Sequence, residues 1–160
     1  ALEEIEDLPD AVRQDPTWVQ SGFADVGRDG CRIPLPWTAT SAPYGFAPEE
    51  GAPTWLPQPG HWAQHSVEAQ DRDPDSTLNL YRAALRLRPS LWRDAGAVTW
   101  LDVDPEVAAF ERGGAQCWVN TGDTGVTLPS SAVVLSSTPG VGRVLPPDSA
   151  VWLASTQSSK

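Results

Sequence analysis

The chain contains 160 residues, of which 40% are hydrophobic and 20% are charged, a composition typical of a globular protein with one domain or two small ones. Its formal net charge of −10 repels phosphate backbones, and no basic cluster offsets that charge, so the composition argues against a nucleic-acid partner. No apolar run approaches the roughly 20 residues of a membrane-spanning helix, so we expect a soluble protein without a membrane partner.

Residues 1–60 are rich in proline, glycine and acidic side chains and show no sustained hydrophobic period. Pro9 limits any helix within Leu2 to Val12 to about one turn. A long irregular segment inside a compact domain is typical of a functional loop that rests on a scaffold provided by other residues. The sequence therefore predicts a loop-rich N-terminal part that depends on such a scaffold.

Residues 27–37, which we call the strap, combine two glycines around Arg28 and Asp29 with two later prolines. The glycines favour a tight turn that presents the polar pair. The prolines predict an extended segment over residues 32–37, anchored by Trp37. Two interpretations remain at this point. The strap lines a site on a rigid scaffold, or it is a surface loop in which Arg28 and Asp29 form a local ion pair.

His61 and His65 are four residues apart and Glu68 follows three residues later, which on one helix would align three metal-capable side chains. The prolines and the glycine just before His61 make a helix start there unfavourable, so we predict no metal site. Asp71, Asp73 and Asp75 imitate the start of a calcium loop. The sixth position is serine and the twelfth is arginine, where such a loop needs glycine and glutamate, so this pattern also predicts no metal.

A helix is predicted over about residues 74–88. Asp73 suits the N-cap, Pro74 the first helical position, and Pro89 the end of the helix. Its apolar side chains recur at helical spacing: Leu78, Tyr81, Leu85 and, widening the face, Leu80, Ala84 and Leu87.

Beyond Trp92 short alternating apolar segments are separated by turn residues, a pattern that predicts an antiparallel sandwich or barrel. The predicted strands are Ala97 to Val103, Val107 to Arg112, Gln116 to Asn120, Val126 to Leu128, Ala132 to Ser136 and Ala150 to Ala154. The side chains predicted for the inner face of this β-domain are Trp100, Phe110, Trp118 and Trp152.

Two cysteines, Cys31 and Cys117, are too few and too far apart for a disulfide framework or a zinc site. Two reduced, partly buried thiols are the simplest interpretation, and they favour a cytoplasmic location. The eight tryptophans could stack on sugar rings, but packing in a core or at a seam is the more common role of this residue.

The strap resembles the segment that follows the eighth barrel strand in α-glucosidases of glycoside hydrolase family 13, in the branch that contains the oligo-1,6-glucosidases. The matching strap residues are Gly27, Arg28, Asp29, Arg32, Pro34 and Trp37. The resemblance continues through Gly45, Phe46, Trp55, Val67, Gln70, Ser76, Leu78, Tyr81, Leu85, Leu87 and Arg88. Cys31, Leu35 and Pro36 depart from the commoner alanine, methionine and glutamine.

This resemblance implies an α+β fragment. Residues 1–92 would form the irregular C-terminal end of a catalytic (β/α)8 barrel, with the strap at 27–37 and the last barrel helix at about 74–88. The apolar face of that helix would pack on barrel strands outside this chain. Residues 93–160 would form an antiparallel β-sandwich C-terminal domain.

The resemblance also implies a retaining α-glucosidase that acts on α-glucosides or malto- and isomalto-oligosaccharides. The catalytic carboxylates of the family would lie upstream of Ala1, in a barrel segment of the same or a separate chain. The isolated chain is therefore predicted to be inactive, to contain no catalytic residue, and to need no metal or other cofactor. Arg28 is the predicted substrate-binding residue, and Arg32 is the second candidate. The alternative function is a non-catalytic carbohydrate- or protein-binding β-sandwich module.

Overall fold

The structure, a computed structural model, describes Leu2, Ile5 and residues 7–49 and 51–154. The chain divides into two compact units, Ala1–Asp73 (unit 1) and Pro74–Lys160 (unit 2). None of the helices in the described part is both long enough and apolar enough to cross a membrane.

Unit 1 consists of short helical turns joined by irregular segments. It contains 3-10 helices at Asp10–Val12, Asp29–Cys31 and Gly60–His65, and α-helices at Pro16–Gln20 (α1) and Val67–Arg72 (α2). The described residues between 32 and 59 form only turns, bends and irregular backbone. This agrees with the predicted irregular N-terminal part.

The helix start that the sequence disfavours at residue 60 does form, as a 3-10 helix that leads into α2. Ser66 separates the two, and its side chain caps α2 by accepting a hydrogen bond from the Ala69 amide at 3.2 Å. Pro59 is the residue before the 3-10 helix, a place where its missing N–H costs nothing. The prolines therefore precede the helical turns and do not prevent them.

Several side chains buried in unit 1 come from the loops on either side of residue 50 and from the 3-10 helix that follows them. Leu56 and Trp62 are fully buried, and Tyr44 is nearly so. The Tyr44 hydroxyl donates to the Pro59 carbonyl at 3.1 Å and so links the two loops. A small loop-based core of this kind suits a region that other elements are expected to support.

The long helix of unit 2, α3, spans Thr77–Trp92, so the predicted boundaries are shifted by three or four residues. Asp73 is not its N-cap. The Ser76 side chain takes that place and accepts a hydrogen bond from the Asn79 amide at 3.2 Å. Pro89 does not end the helix either. The buried Trp92 donates from Nε1 to the Arg112 carbonyl at 3.0 Å, and this tertiary anchor holds one more turn beyond the proline.

Seven strands follow α3: β1 Thr99–Trp100, β2 Val107–Arg112, β3 Ala115–Asn120, β4 Val126–Thr127, β5 Ala132–Ser136, β6 Val144–Leu145 and β7 Ser149–Ala154. They form a five-stranded sheet in the order β1-β2-β3-β7-β5 and a two-stranded sheet of β4 and β6. Every pairing is antiparallel, as predicted. The prediction missed β6 and made β1 too long.

The prediction that four aromatic residues share the inner face is wrong. The register aligns Trp100 with Phe110, Phe110 with Cys117, and Cys117 with Trp152, which places these side chains on one face of the sheet. Trp118 aligns with Ala109 and Val151 and lies on the opposite face. That second face holds the hydrophobic core: Val107, Ala109, Trp118, Leu128, Leu145, Val151 and Leu153.

The first face of the sheet lies against α3, where Trp92 meets Trp152 edge to face with ring centroids 4.6 Å apart. Trp100 remains 70% exposed at the edge strand. The helix was predicted to pack on strands outside this chain. In the structure its residues Leu80 and Ala84 share a cavity with Leu135 of β5, whereas Tyr81 and Leu85 are exposed.

Asn120, at the end of β3, fixes the turns at one end of the sheet. Its fully buried side-chain amide donates to the carbonyls of Thr124, Leu145 and Pro146 and accepts from the Gly122 amide at 3.0 Å. A buried amide is tolerated because it is fully hydrogen-bonded.

Candidate functional site

The strap begins with a turn in which two glycines allow close approach of other chain segments. Gly27 has φ +64°, and a Cβ atom there would lie 2.6 Å from Cγ of Asp15. Gly30 accepts a hydrogen bond from the Ile5 amide at 3.1 Å, and a Cβ atom there would lie 2.2 Å from the Ile5 carbonyl oxygen. The tight turn predicted from these glycines is present.

Asp29 lies inside this turn and is fully buried. One carboxylate oxygen accepts the amides of Gln14 and Asp15 at 2.5 and 2.7 Å, and the other pairs with Nη1 of Arg32 at 3.2 Å. A buried charge is stable only when it is paired and hydrogen-bonded, and Asp29 meets both conditions. It therefore ties the strap to the segment before α1.

Asp15 caps α1 and closes the same network. Its oxygens accept the amides of Thr17 at 3.0 Å and Arg28 at 3.1 Å, and Nη2 of Arg32 lies 3.2 Å from it. The backbone hydrogen bonds from Thr17 and Arg28, more than the nearby Arg32 charge, lower the pKa of Asp15 to about 2. We call Asp15, Asp29 and Arg32 the strap network.

The lowered pKa of Asp15 predicts a loss of stability in acid. Because the folded pKa of about 2 lies below the ordinary aspartate value of 3.8, the ionised carboxylate stabilises the fold fully above about pH 4. That contribution disappears as the pH falls from about 4 to about 2. We expect Asp15→Asn to make the free energy of urea unfolding less pH-dependent in this window, whereas Asp94→Asn, at an exposed position, should behave like the wild type. Equal acid sensitivity in Asp15→Asn and the wild type would contradict the assignment.

The two predicted substrate-binding arginines lie in different environments. Arg32 bridges both carboxylates of the strap network, although its side chain remains 46% exposed. The exposed Arg28 donates its backbone amide to Asp15, and its guanidinium makes no ion pair or hydrogen bond with the residues that the structure describes. The local pair between Arg28 and Asp29, which was the alternative interpretation of the strap, does not form there, and Arg32 pairs with Asp29 instead.

The rest of the strap is irregular and hydrogen-bonded along its length. The Pro34 carbonyl accepts from Gln58 Nε2, and the Pro36 carbonyl accepts from the Val67 amide, each at 3.0 Å. Pro36 is fully buried, but Trp37 is 49% exposed, so the expected aromatic anchor is not Trp37 in this chain. Buried prolines and carbonyl contacts hold the strap instead.

No group of three or more metal-capable side chains comes together within the described residues. His61 and His65 lie on the 3-10 helix, whereas Glu68 lies on α2 and pairs with Arg72 at 2.5 Å. Neither cysteine forms a disulfide within the described residues. Cys31 is exposed, and burial of Cys117 raises the pKa of its thiol.

The sequence argument missed Asp15, although a signal for it was present. Asp15 is followed by Pro16, which is the same N-cap and first-turn pattern that was assigned to Asp73 and Pro74. Applied at residue 15, the pattern would have predicted α1 and its cap. The tertiary contact between Asp15 and the strap has no sequence signal of its own.

The part of the chain that contains the strap network matches a known protein family. The family model described as alpha amylase, catalytic domain, matches residues 6–93, more than half of the chain. The chain belongs to the alpha-amylase family. The match contains the whole strap, α1, α2 and α3, so the catalytic-domain assignment applies to the part of the chain that carries the strap network.

Two curated relatives are similar over nearly half of the chain. Alpha-glucosidase MAL12 of Saccharomyces cerevisiae is 36% identical over 67 residues, which are 42% of this chain and 12% of the yeast protein. A probable alpha-glucosidase of Rhizobium meliloti is 37% identical over 75 residues, which are 47% of this chain and 13% of that protein. These names confirm the resemblance to family 13 α-glucosidases. The chain spans only about an eighth of the length of these relatives.

A solved structure extends the similarity to nearly the whole chain. The crystal structure of an alpha-glucosyl transfer enzyme, XgtA, matches with a TM-score of 0.65 and 27% identity, covering 95% of this chain and 30% of the other. The β-rich part of this chain therefore also has a counterpart in an enzyme of glucosyl chemistry.

Proposed function

We propose that this chain is the C-terminal part of a retaining α-glucosidase that hydrolyses α-glucosidic bonds of small oligosaccharides. In this proposal residues 1–92 complete a (β/α)8 barrel and residues 93–160 form its β-sandwich domain. The support comes from the alpha-amylase family match over residues 6–93 and from relatives that are named alpha-glucosidases. The oligo-1,6-glucosidase branch and a cytoplasmic location are further parts of the proposal, the latter supported only by two cysteines that form no disulfide in the described part of the chain.

The observation that carries this proposal is the contrast between the two strap arginines. Arg32 is occupied by two carboxylates, whereas Arg28 is held by its backbone and presents an exposed guanidinium without a partner in the described part of the chain. In (β/α)8 enzymes the loops that follow the barrel strands form the active site. A rigid guanidinium on such a loop can donate several hydrogen bonds to the hydroxyl groups of a sugar.

The reaction itself needs residues beyond the strap. A retaining glycosidase uses two carboxyl groups about 5 to 5.5 Å apart, one as nucleophile and one as acid and base. In our proposal an upstream barrel segment provides both carboxyl groups, and Arg28 orients the glucose at the innermost subsite. Arg32 acts through the strap network and positions the turn that carries Arg28. No cofactor is needed for this chemistry.

The test is Arg28→Ala in an enzyme form that contains the barrel. We expect kcat/KM for an aryl α-glucoside to fall at least tenfold, about 1.4 kcal/mol of transition-state binding, without loss of the fold. Arg86→Ala removes an exposed arginine of α3 and is the matched control, which should keep wild-type kinetics. Wild-type kinetics in folded Arg28→Ala would exclude the role of Arg28.

The finer specificity needs a separate experiment. An assay with matched α-1,4- and α-1,6-linked glucosides would test the oligo-1,6-glucosidase branch, and product analysis would separate hydrolysis from glucosyl transfer, the activity named for the similar solved structure. The alternative of a non-catalytic binding module would be favoured if the form with the barrel bound α-glucosides but turned none over.

A further inference from the structure

Three arginines of unit 2 line one cavity. Arg88 and Arg93 come from the end of α3, Arg112 from β2, and Pro89 and Trp92 complete the lining of a cavity of about 320 Å³. No acidic side chain among the described residues lines it. This is unexpected in a chain with 21 acidic and 11 basic residues and a net charge of −10.

Arg112 is fixed in place, and the other two arginines have unused donors. Nε of Arg112 donates to the Gly96 carbonyl and Nη2 to the Ala95 carbonyl, both at 2.8 Å, which leaves donors on the guanidinium for another acceptor. The guanidinium groups of Arg88 and Arg93 make no ion pair or hydrogen bond within the described ranges. The cavity therefore has one rigid guanidinium group and two adaptable ones.

The dipole of α3 does not account for this much positive charge. The end of a helix carries about half a negative charge, which one arginine near the last turn already offsets. Three guanidinium groups around one cavity exceed that need and repel each other. An anion in the cavity would remove this repulsion, and it would find planar donors that suit the oxygens of a phosphate group.

We propose that this cavity binds an anion of the phosphate class, either inorganic phosphate or the phosphate group of a small monoester. The volume is at the lower end of the range typical of small-molecule pockets and leaves room for a compact body beyond the phosphate. A second, mostly apolar cavity of about 450 Å³ shares Arg88, Trp92 and Arg112 with the first. A monoester with an apolar body would extend along it.

The test titrates inorganic phosphate and phenyl phosphate into an enzyme form that carries the whole chain, at constant ionic strength set with potassium chloride. Binding is measured by calorimetry and by the NMR signals of the arginine Nε–H groups. We expect saturable binding of phosphate, tighter binding of phenyl phosphate, and dissociation constants raised roughly tenfold by Arg88→Gln or Arg93→Gln.

Arg86→Gln is the control, because Arg86 lies on the same helix but does not line the cavity. It should bind phosphate like the wild type. Equal weakening in Arg86→Gln and Arg93→Gln, competition by chloride at equal concentration, or no binding at all would overturn the proposal. Equal affinity for the two ligands would identify inorganic phosphate, and not a monoester with an apolar body, as the ligand.

Discussion

We expect the purified 160-residue chain to turn over no aryl α-glucoside, whereas the same chain within a complete barrel should be active. Retaining glycosidases lose many orders of magnitude in rate without their two carboxyl groups, because these groups form and break the bonds of the reaction. In our proposal both groups lie on barrel segments outside this chain.

Our proposal gives no catalytic role to the two carboxylates of the strap network. Asp15 and Asp29 both pair with Arg32, which suggests a catalytic pair at first sight. A glycosidase acid must hold its proton near neutral pH, so its pKa must be raised. The pKa of Asp15 is instead lowered to about 2, and Asp29 is fully buried with both oxygens engaged. A lowered pKa does not suit the acid, and in our proposal these two aspartates stabilise the strap and do not catalyse.

The measurement compares turnover by the chain alone, checked by intact mass for the absence of a second chain, with turnover by a form that includes the barrel. Asp15→Asn and Asp29→Asn in the active form serve as controls for the structural role. Their activity should follow the fraction of folded protein. Measurable turnover by the chain alone would show that the catalytic pair lies within it.

The sequence predicted the elements with a local pattern and missed those that depend on tertiary contacts. The antiparallel strands follow from alternation and recurring turn residues, and β2, β3 and β5 form close to their predicted places. The position of Trp118 could not be predicted, because both faces of the sheet are covered by apolar residues. The end of α3 could not be predicted from local sequence either. Pro89 favours an end to the helix at that point, but the hydrogen bond from the buried Trp92 to β2 keeps the chain helical as far as residue 92.

At the site, the family resemblance identified the strap but not its internal pairing. Arg28 and Arg32 are the same residue type, and from the sequence alone either of them could pair with Asp29. The 3-10 turn at Asp29–Cys31 places Arg32 over the carboxylate and leaves Arg28 at its N-terminal edge. Pairing with Asp15, which is 17 residues before Arg32, depends on how the chain returns after α1.

Asp29→Ala should be among the most damaging single changes in the described part of unit 1. It removes a fully buried carboxylate and leaves the Gln14 and Asp15 amides without their acceptor and Arg32 with one of its two partners. Each amide left without an acceptor costs about 1 to 3 kcal/mol, and loss of the pair with the half-exposed Arg32 adds at most about 1 kcal/mol. We expect a loss of about 3 to 5 kcal/mol in the free energy of unfolding.

Asp10→Ala and Asp29→Asn allow this loss to be assigned to burial and not to charge alone. The Asp10 carboxylate is exposed, although the side chain of its partner Arg13, 3.4 Å away, is mostly buried, so its removal should cost less than removal of the fully buried Asp29. Asp29→Asn keeps an acceptor oxygen and should lie between the two. Urea unfolding measures the global effect, and hydrogen exchange at the Gln14 and Asp15 amides measures the local one. If Asp29→Ala were no less stable than Asp10→Ala and exchange at these amides did not increase, the strap network would not hold the strap. Contacts other than the strap network would then have to hold the backbone of Arg28 in place.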